Sequence, residues 1–167
     1  FNVIGPMPAL AAGNSVVVVD TATRQKVAEV AVGEEPADVA FSPDGRRAFV
    51  SNRRSDSVSV IEVATRRIER SLAVGDEPHG VLTNRSGSLL FVLNTASENV
   101  SVIATETWAE LRRLPASRSP WSLAMTTDGQ RIAVTNSLAR AGRFRSAPIS
   151  EMTVLDAEKG TVVGRSA

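Results

Sequence analysis

Residues Val32 to Asn52 read VGEEPADVAFSPDGRRAFVSN. The same register returns from Val74 to Asn94 as VGDEPHGVLTNRSGSLLFVLN and, more worn, from Ser117 to Asn136 as SRSPWSLAMTTDGQRIAVTN. Pro36, Pro78 and Pro120 stand 42 residues apart, as do Gly45, Gly87 and Gly129, and Asn52, Asn94 and Asn136. A period of this length with a turn signal about every ten residues fits a four-stranded propeller blade. Two-helix repeats of similar length need a 3.6-residue apolar periodicity, which the chain does not carry.

Within one period the strands can be placed. Ala37–Ser42 is apolar and forms the innermost strand A. Pro43-Asp44-Gly45 is a tight turn, because proline presets φ and glycine accepts φ > 0. Arg47–Ser51 is strand B, Ser57–Val63 alternates as strand C, and Ile68–Val74 is the more polar outer strand D. The second copy places these strands at Gly80–Thr83, Leu89–Leu93, Asn99–Ala104 and Glu110–Leu114. The third places them at Ser122–Met125, Arg131–Thr135, Met152–Asp156 and Thr161–Gly164. Val18, Val60 and Val102 extend the register backwards to a C strand at Ser15–Asp20 and a D strand at Lys26–Val32.

The expected fold class is therefore all-β, a β-propeller of four-stranded antiparallel blades. The expected organisation is one propeller segment over 1–167, with a half blade at 14–32, blades at 36–74 and 78–115, and a blade at 120–165 carrying a loop insertion at 137–149. Closed rings hold roughly four to eight blades, so about three and a half blades are expected to be an incomplete ring, most simply from a seven-bladed parent; closure as a four-bladed ring is the alternative, and would leave the first blade short of its inner strands. Phe1–Gly13 aligns with neither strand A nor strand B. The chain opens on Phe1 with no basic-then-apolar leader, and is expected to be a piece of a longer protein.

Composition narrows the function classes. A net charge of +1 argues against a dedicated nucleic-acid surface or a polybasic membrane surface. No apolar run approaches the ~18 residues of a membrane span. With no cysteine the segment has no disulfide, thiolate metal site or covalent c-type haem attachment, and no cofactor is expected within it. There is no Ser/His/Asp order at useful spacing, no phosphate-cradling glycine loop and no aspartate-rich calcium loop.

The pattern P-x-x-[VL]-[AL]-x-[STN]-x-[DS]-G, followed by [FA]-V-x-N and V-S-V-I, resembles the YVTN-type β-propeller repeat. The tetrapeptide stands as Phe49-Val50-Ser51-Asn52, Phe91-Val92-Leu93-Asn94 and Ala133-Val134-Thr135-Asn136. The V-S-V-I element stands at Val58–Thr65 and, altered, at Val100–Thr105. The resemblance covers residues 14 to 167. It implies a periplasmic or extracellular location, since such propellers occur in secreted and surface-layer-like proteins. It also implies company with redox domains of the cytochrome peroxidase or nitrite reductase type, with haem in a neighbouring domain.

The strand order puts the D-to-A and B-to-C loops on one face of the ring and the short A-to-B and C-to-D turns on the other. Variable loops on a rigid scaffold are where binding resides, so the loop face is the expected acting face. Ala37, His79 and Trp121 recur just after the blade-opening proline, at the mouth of the channel, with Asp38, Gly80 and Ser122 as neighbours. His79, the only histidine, reads either as a ligand or general base or as a loop-packing side chain. Trp121 reads as a stacking surface or as a wedge between blades, and Trp108 as inter-blade packing. Arg140, Arg143 and Arg145 in the insertion, with Arg53 and Arg54 two blades earlier, read as a docking surface for an acidic group or as solvated loop charge. Glu34, Glu35, Asp76 and Glu77 share that face, where surface ion pairing is the simpler account. Asn52, Asn94 and Asn136 are expected to bond their own turn backbone or to adopt a left-handed conformation.

Three functions follow. The first is a non-catalytic binding scaffold outside the cytoplasm, with a protein partner or an adjacent domain of the same chain. The second is a redox accessory beside a haem domain, and the third a lactonase-like propeller enzyme. Ligand candidates are His79, Trp121, Asp38, Arg53, Arg54, Arg140, Arg143 and Arg145, with no catalytic or metal residue assigned.

Overall fold

A computed structural model of the chain describes residues 14–136 and 151–166. Strands β1 (Ser15–Val19) and β2 (Lys26–Ala31) pair as a two-stranded sheet. Three four-stranded antiparallel sheets follow: β3 (Pro36–Phe41) to β6 (Arg67–Ala73) through β4 (Arg47–Asn52) and β5 (Ser57–Glu62); β7 (Pro78–Thr83) to β10 (Glu110–Pro115) through β8 (Leu89–Asn94) and β9 (Asn99–Ala104); and β11 (Pro120–Met125) to β14 (Thr161–Ser166) through β12 (Arg131–Asn136) and β13 (Glu151–Asp156). Each sheet is an up-and-down meander, so the four-stranded blade read from the period is the unit of the fold. The expected strands recur with their ends displaced by one or two residues. Strand A begins on the proline itself, which an edge strand tolerates because the missing N–H has no ladder partner to lose. Residues 1–13 and the insertion at 137–149 lie outside the described residues.

The first strands of successive blades touch, β3 against β7 and β7 against β11. The core is then built between blades. Val16 and Val30 of the first sheet meet Ala48, Val50 and Ile61 of the second. Phe49, Val58 and Val60 meet Val81, Leu90, Val92 and Ile103. Phe91, Leu93, Val100 and Val102 meet Ile132, Val134, Leu155 and Ala157. Val58 and Val60 on one side of β5, and Ser57 and Ser59 on the other, are all buried, because neighbours cover both faces of the sheet. Burying each large side chain contributes roughly 1.5–3 kcal/mol. The outer strand β6 (RIERSLA) is mostly exposed, and its residues are correspondingly charged.

The repeated asparagines are structural, but by a different route from the one expected. Asn52 is extended, at φ −113°, and buried. Its amide donates across to strand C, to Ser57 Oγ at 3.2 Å and Ser59 Oγ at 2.9 Å. Asn94 donates to Asn99 Oδ1 at 2.7 Å and Ser101 Oγ at 2.9 Å, and Asn136 to Glu151 O at 3.0 Å. On the loop face the left-handed positions lie elsewhere, at Glu35, Glu77 and Ser119 ahead of the blade-opening prolines and at Asp56 and Glu98 after strand B. The buried amide also dictates the glycine of the VG pair. A Cβ at Gly33 would stand 2.7 Å from Asn52 Cγ, and one at Gly75 2.7 Å from Asn94 Cγ.

On the turn face, Asp44 Oδ1 accepts from Ser42 Oγ at 2.6 Å and Arg46 N at 3.0 Å. Asp128 Oδ1 repeats this with Thr126 Oγ1 at 2.5 Å and Gln130 N at 2.9 Å. The hydroxyl and then the backbone N–H hold both carboxyls below their usual value of 3.8.

Two outcomes are expected. Gly75→Ala, which places a methyl group against a buried amide, lowers stability by about 1–3 kcal/mol in urea denaturation. The depressed carboxyls of Asp44 and Asp128 favour the folded state fully above their unfolded pKa, and that contribution is lost as pH falls through their lower folded values. The urea midpoint therefore drops on acidification below about pH 4, and the drop is shallower in an Asp44→Asn, Asp128→Asn double variant.

Candidate functional site

The D-to-A and B-to-C loops share one face, and each pair is tied by the same bonds. Arg53 N donates to Glu35 O at 2.9 Å and Arg54 N to Glu34 O at 3.2 Å; one blade on, Thr95 N donates to Glu77 O at 3.0 Å and Ala96 N to Asp76 O at 3.2 Å. Glu34 N reaches Ser55 Oγ and Asp76 N reaches Ser97 Oγ, both at 2.7 Å. Glu35 N reaches Asn14 Oδ1 at 3.1 Å and Glu77 N reaches Asp56 Oδ1 at 3.0 Å. The face is thus a fixed platform. Its left-handed acidic residues are held there by bonds to their own N–H groups.

Arg53 and Arg54 do not project as a positive patch. Arg53 Nη2 lies 2.8 Å from Glu77 Oε2, and Arg54 Nε lies 3.5 Å from Glu35 Oε1. The bond to Glu77 raises the guanidinium pKa of Arg53 further. These side chains are about half exposed or more, so each pair is worth roughly 0–1 kcal/mol. Arg140, Arg143 and Arg145 lie outside the described residues.

His79 and Trp121, one blade apart at corresponding positions, come together. Their ring centroids are 4.4 Å apart at 36°. Trp121 remains 56% exposed, while His79 is half-buried. Ala37, the third member of the series, has no ring to add. Trp108 packs as expected between blades, 6.4 Å from Phe49 and flanked by the guanidinium groups of Arg47 and Arg70 at 5.1 and 5.0 Å.

Asp38 is a strap between blades. Its Oδ1 accepts from Val39 N at 2.9 Å and its Oδ2 from Val81 N at 3.0 Å, across the blade boundary. Ser51 Oγ works alongside, accepting from Asp38 N at 3.1 Å and donating to His79 O at 2.6 Å. Sequence reasoning passed over Ser51. The available signal was that innermost strands leave half of their N–H groups outside the ladder, so polar side chains beside them have a task waiting.

A cleft of about 720 Å³ lies elsewhere, on the turn face between the first sheet and the second, lined by Val16, Val18, Val30, Phe41, Ala48 and Ile61 among others. None of the ligand candidates named from the sequence lines it. Among the described residues no group of three or more His, Cys, Asp or Glu is placed to hold a metal ion.

Asp38→Ala leaves Val81 N without its acceptor and is expected to cost about 1–3 kcal/mol. Asp38→Asn, which keeps one carbonyl oxygen, should recover part of that loss in the same denaturation experiment.

This architecture has solved relatives. The chain superposes on a structure titled Kuenenia stuttgartiensis Hydrazine Synthase with a TM-score of 0.81 at 26% identity, over 91% of this chain and 42% of that one. It superposes on a functionally unknown protein from Desulfotomaculum acetoxidans DSM 771 with a TM-score of 0.75 at 14% identity, over 98% of this chain and 50% of that one. The chain thus spans half or less of the length of either. No curated protein sequence matches it. Residues 11–136 match the family model described as Lactonase, 7-bladed beta-propeller, and with three successive four-stranded sheets meeting along their first strands the chain belongs to that family.

Proposed function

We propose that the chain is a non-catalytic binding scaffold that presents its loop face to a protein partner or to an adjacent domain, outside the cytoplasm. One observation carries the reading: the carboxylates of that face nearest the candidate residues are engaged in holding the structure. Asp38 accepts two backbone N–H groups, Asp56 accepts Glu77 N, and Glu35 and Glu77 meet arginines. A general acid or base needs a free lone pair within reach of substrate, whereas a docking surface needs only a rigid frame and an exposed anchor. Trp121, of a residue type enriched at binding hot spots, supplies the anchor. The repeat is of the YVTN type on the strength of its three tetrapeptides, and the extracytoplasmic setting follows from that resemblance.

Family membership favours a second reading, an enzyme acting on lactones. A redox accessory beside a haem domain is a third, supported by the likeness to a structure titled as a hydrazine synthase. A haem difference spectrum of the full-length protein tests that third reading.

The chain has no cysteine, so single thiols report cleanly. With a thiol-directed photo-crosslinker in extract of the native host, Arg54→Cys on the loop face should give a discrete adduct and Arg46→Cys on the turn face none. The unmodified protein should leave a panel of γ- and δ-lactones at the uncatalysed rate. Adducts from Arg46→Cys alone, or lactone turnover that disappears in His79→Ala, would overturn the scaffold reading.

A further inference from the structure

The innermost strands carry a repeated hydrogen-bonding requirement that is met at one blade junction and handed to something else at the next. In an antiparallel pair, bonded and non-bonded residue pairs alternate. Ser42 N, Asn84 N and Thr126 N close their hairpins onto Arg47 O, Leu89 O and Arg131 O. Counting back three residues along the registers, Val39↔Val50, Val81↔Val92 and Leu123↔Val134 are non-bonded pairs. The N–H groups of Val39, Val81 and Leu123 therefore point away from their sheets, past the inner edge. Val39 and Val81 confirm the count, because both donate to the carboxylate of Asp38.

Leu123 is the third member of this series. The residue 42 positions after Asp38 is Gly80, which has no carboxylate to offer. A Cβ built on Gly80 would stand 3.5 Å from Leu123 N, so the side chain that serves Val81 at the first junction would serve Leu123 at the second. Among the described residues no side chain accepts from Leu123 N–H. Beside Gly80 in the chain is His79, and two residues before Leu123 is Trp121, the stacked pair with the exposed indole face. Ser122, exposed and adjacent to both, adds a hydroxyl donor.

We propose that this junction is a binding site for a carboxylate carried on a planar or apolar body, with Leu123 N–H receiving the carboxylate where Gly80 replaces the strand's own acid, and the His79–Trp121 stack receiving the body. The first junction shows the geometry from within: Asp38 spans two strands with bonds of 2.9 and 3.0 Å, ordinary lengths for N–H···O bonds. The inference rests on the loop face being the binding face and adds the chemistry that its inner rim recognises. The carboxylate can come from a small aromatic acid or from the C-terminus of a peptide.

The test is built into the repeat. Gly80 is buried, its backbone is not left-handed, and a Cβ there meets its neighbours at 3.5–3.6 Å, normal contact, so Gly80→Ala is compatible with the fold, and Gly80→Asp places here the side chain that Asp38 places at the first junction. Gly80→Asp supplies the internal carboxylate and should exclude the external one. In 15N-resolved titrations of the full chain, benzoate or Gly-Gly-Phe should move the Leu123 amide resonance saturably, while benzamide and Gly-Gly-Phe-amide should not. The arm that saturates at lower concentration identifies the source. Gly80→Ala should keep the response, and Gly80→Asp should weaken it by about tenfold or more with no loss of thermal stability. An equal response to the neutral probes, no saturable shift in either arm, or undiminished binding by Gly80→Asp would overturn the proposal. If benzoate and peptide fail while Arg54→Cys still crosslinks, the carboxylate site falls and the binding face stands; if the crosslink fails while the Leu123 shift persists, the reverse holds.

Discussion

Each of these sheets is apolar on both faces, so no sheet is stable until a neighbour lies against each side. Phe49, Val58 and Val60 are buried by the next blade rather than by their own, and Phe91, Val100 and Val102 by the one after that. This is the energetics of a repeat array, in which interfaces between units supply stability that the units lack alone. It also determines position. Once blades stack by their faces, the first strand of each sits at the inner rim and the fourth at the outside, and the loops sort onto two faces with no further choice to make.

Rigidity of the loop face follows from a second layer of interactions that uses only polar groups. The amide of Asn52 or Asn94 bridges strands B and C below the loop, and a glycine lies directly against it because nothing larger fits. Above, the D-to-A loop gives two carbonyls to the B-to-C loop and takes a serine hydroxyl in return. Buried amide N–H groups and loop carbonyls left unpaired would each cost a desolvation penalty, so their bonding pattern repeats from blade to blade along with the turns.

The blade, its strand order and the sorting of loops into faces could be read from the sequence because they depend on periodic features. Proline, glycine, asparagine and valine at fixed spacing report backbone geometry, and backbone geometry is what repeats. The role of Asn52 is not legible in the sequence for a related reason. Its residue type suits a turn, and only the placement of Ser57 and Ser59 across the sheet reveals that its amide is buried. The pairing of Arg53 with Glu77 and of Arg54 with Glu35 was open for the same reason, since each pair joins loops from different sequence positions whose distance is set by blade packing. His79 and Trp121 were recognised singly, but their stacking depends on the angle between adjacent blades.

Comparison among the copies then separates scaffold from site. Positions that hold a blade together keep their residue type through the first two copies and are only eroded in the third. Positions just inside the inner rim do not: Ala37, His79 and Trp121 differ completely, as do Asp38, Gly80 and Ser122. Yet the backbone donors beside them are the same in every copy, because strand parity places an outward N–H at Val39, Val81 and Leu123 alike. A constant donor set behind variable side chains means that each junction has the same hydrogen-bonding demand and a different means of meeting it. Where Asp38 meets it, the junction is closed. Where Gly80 stands, no acid of the strand's own meets that demand, and the exposed indole of Trp121 lies beside it, so one junction is unlike the one before it.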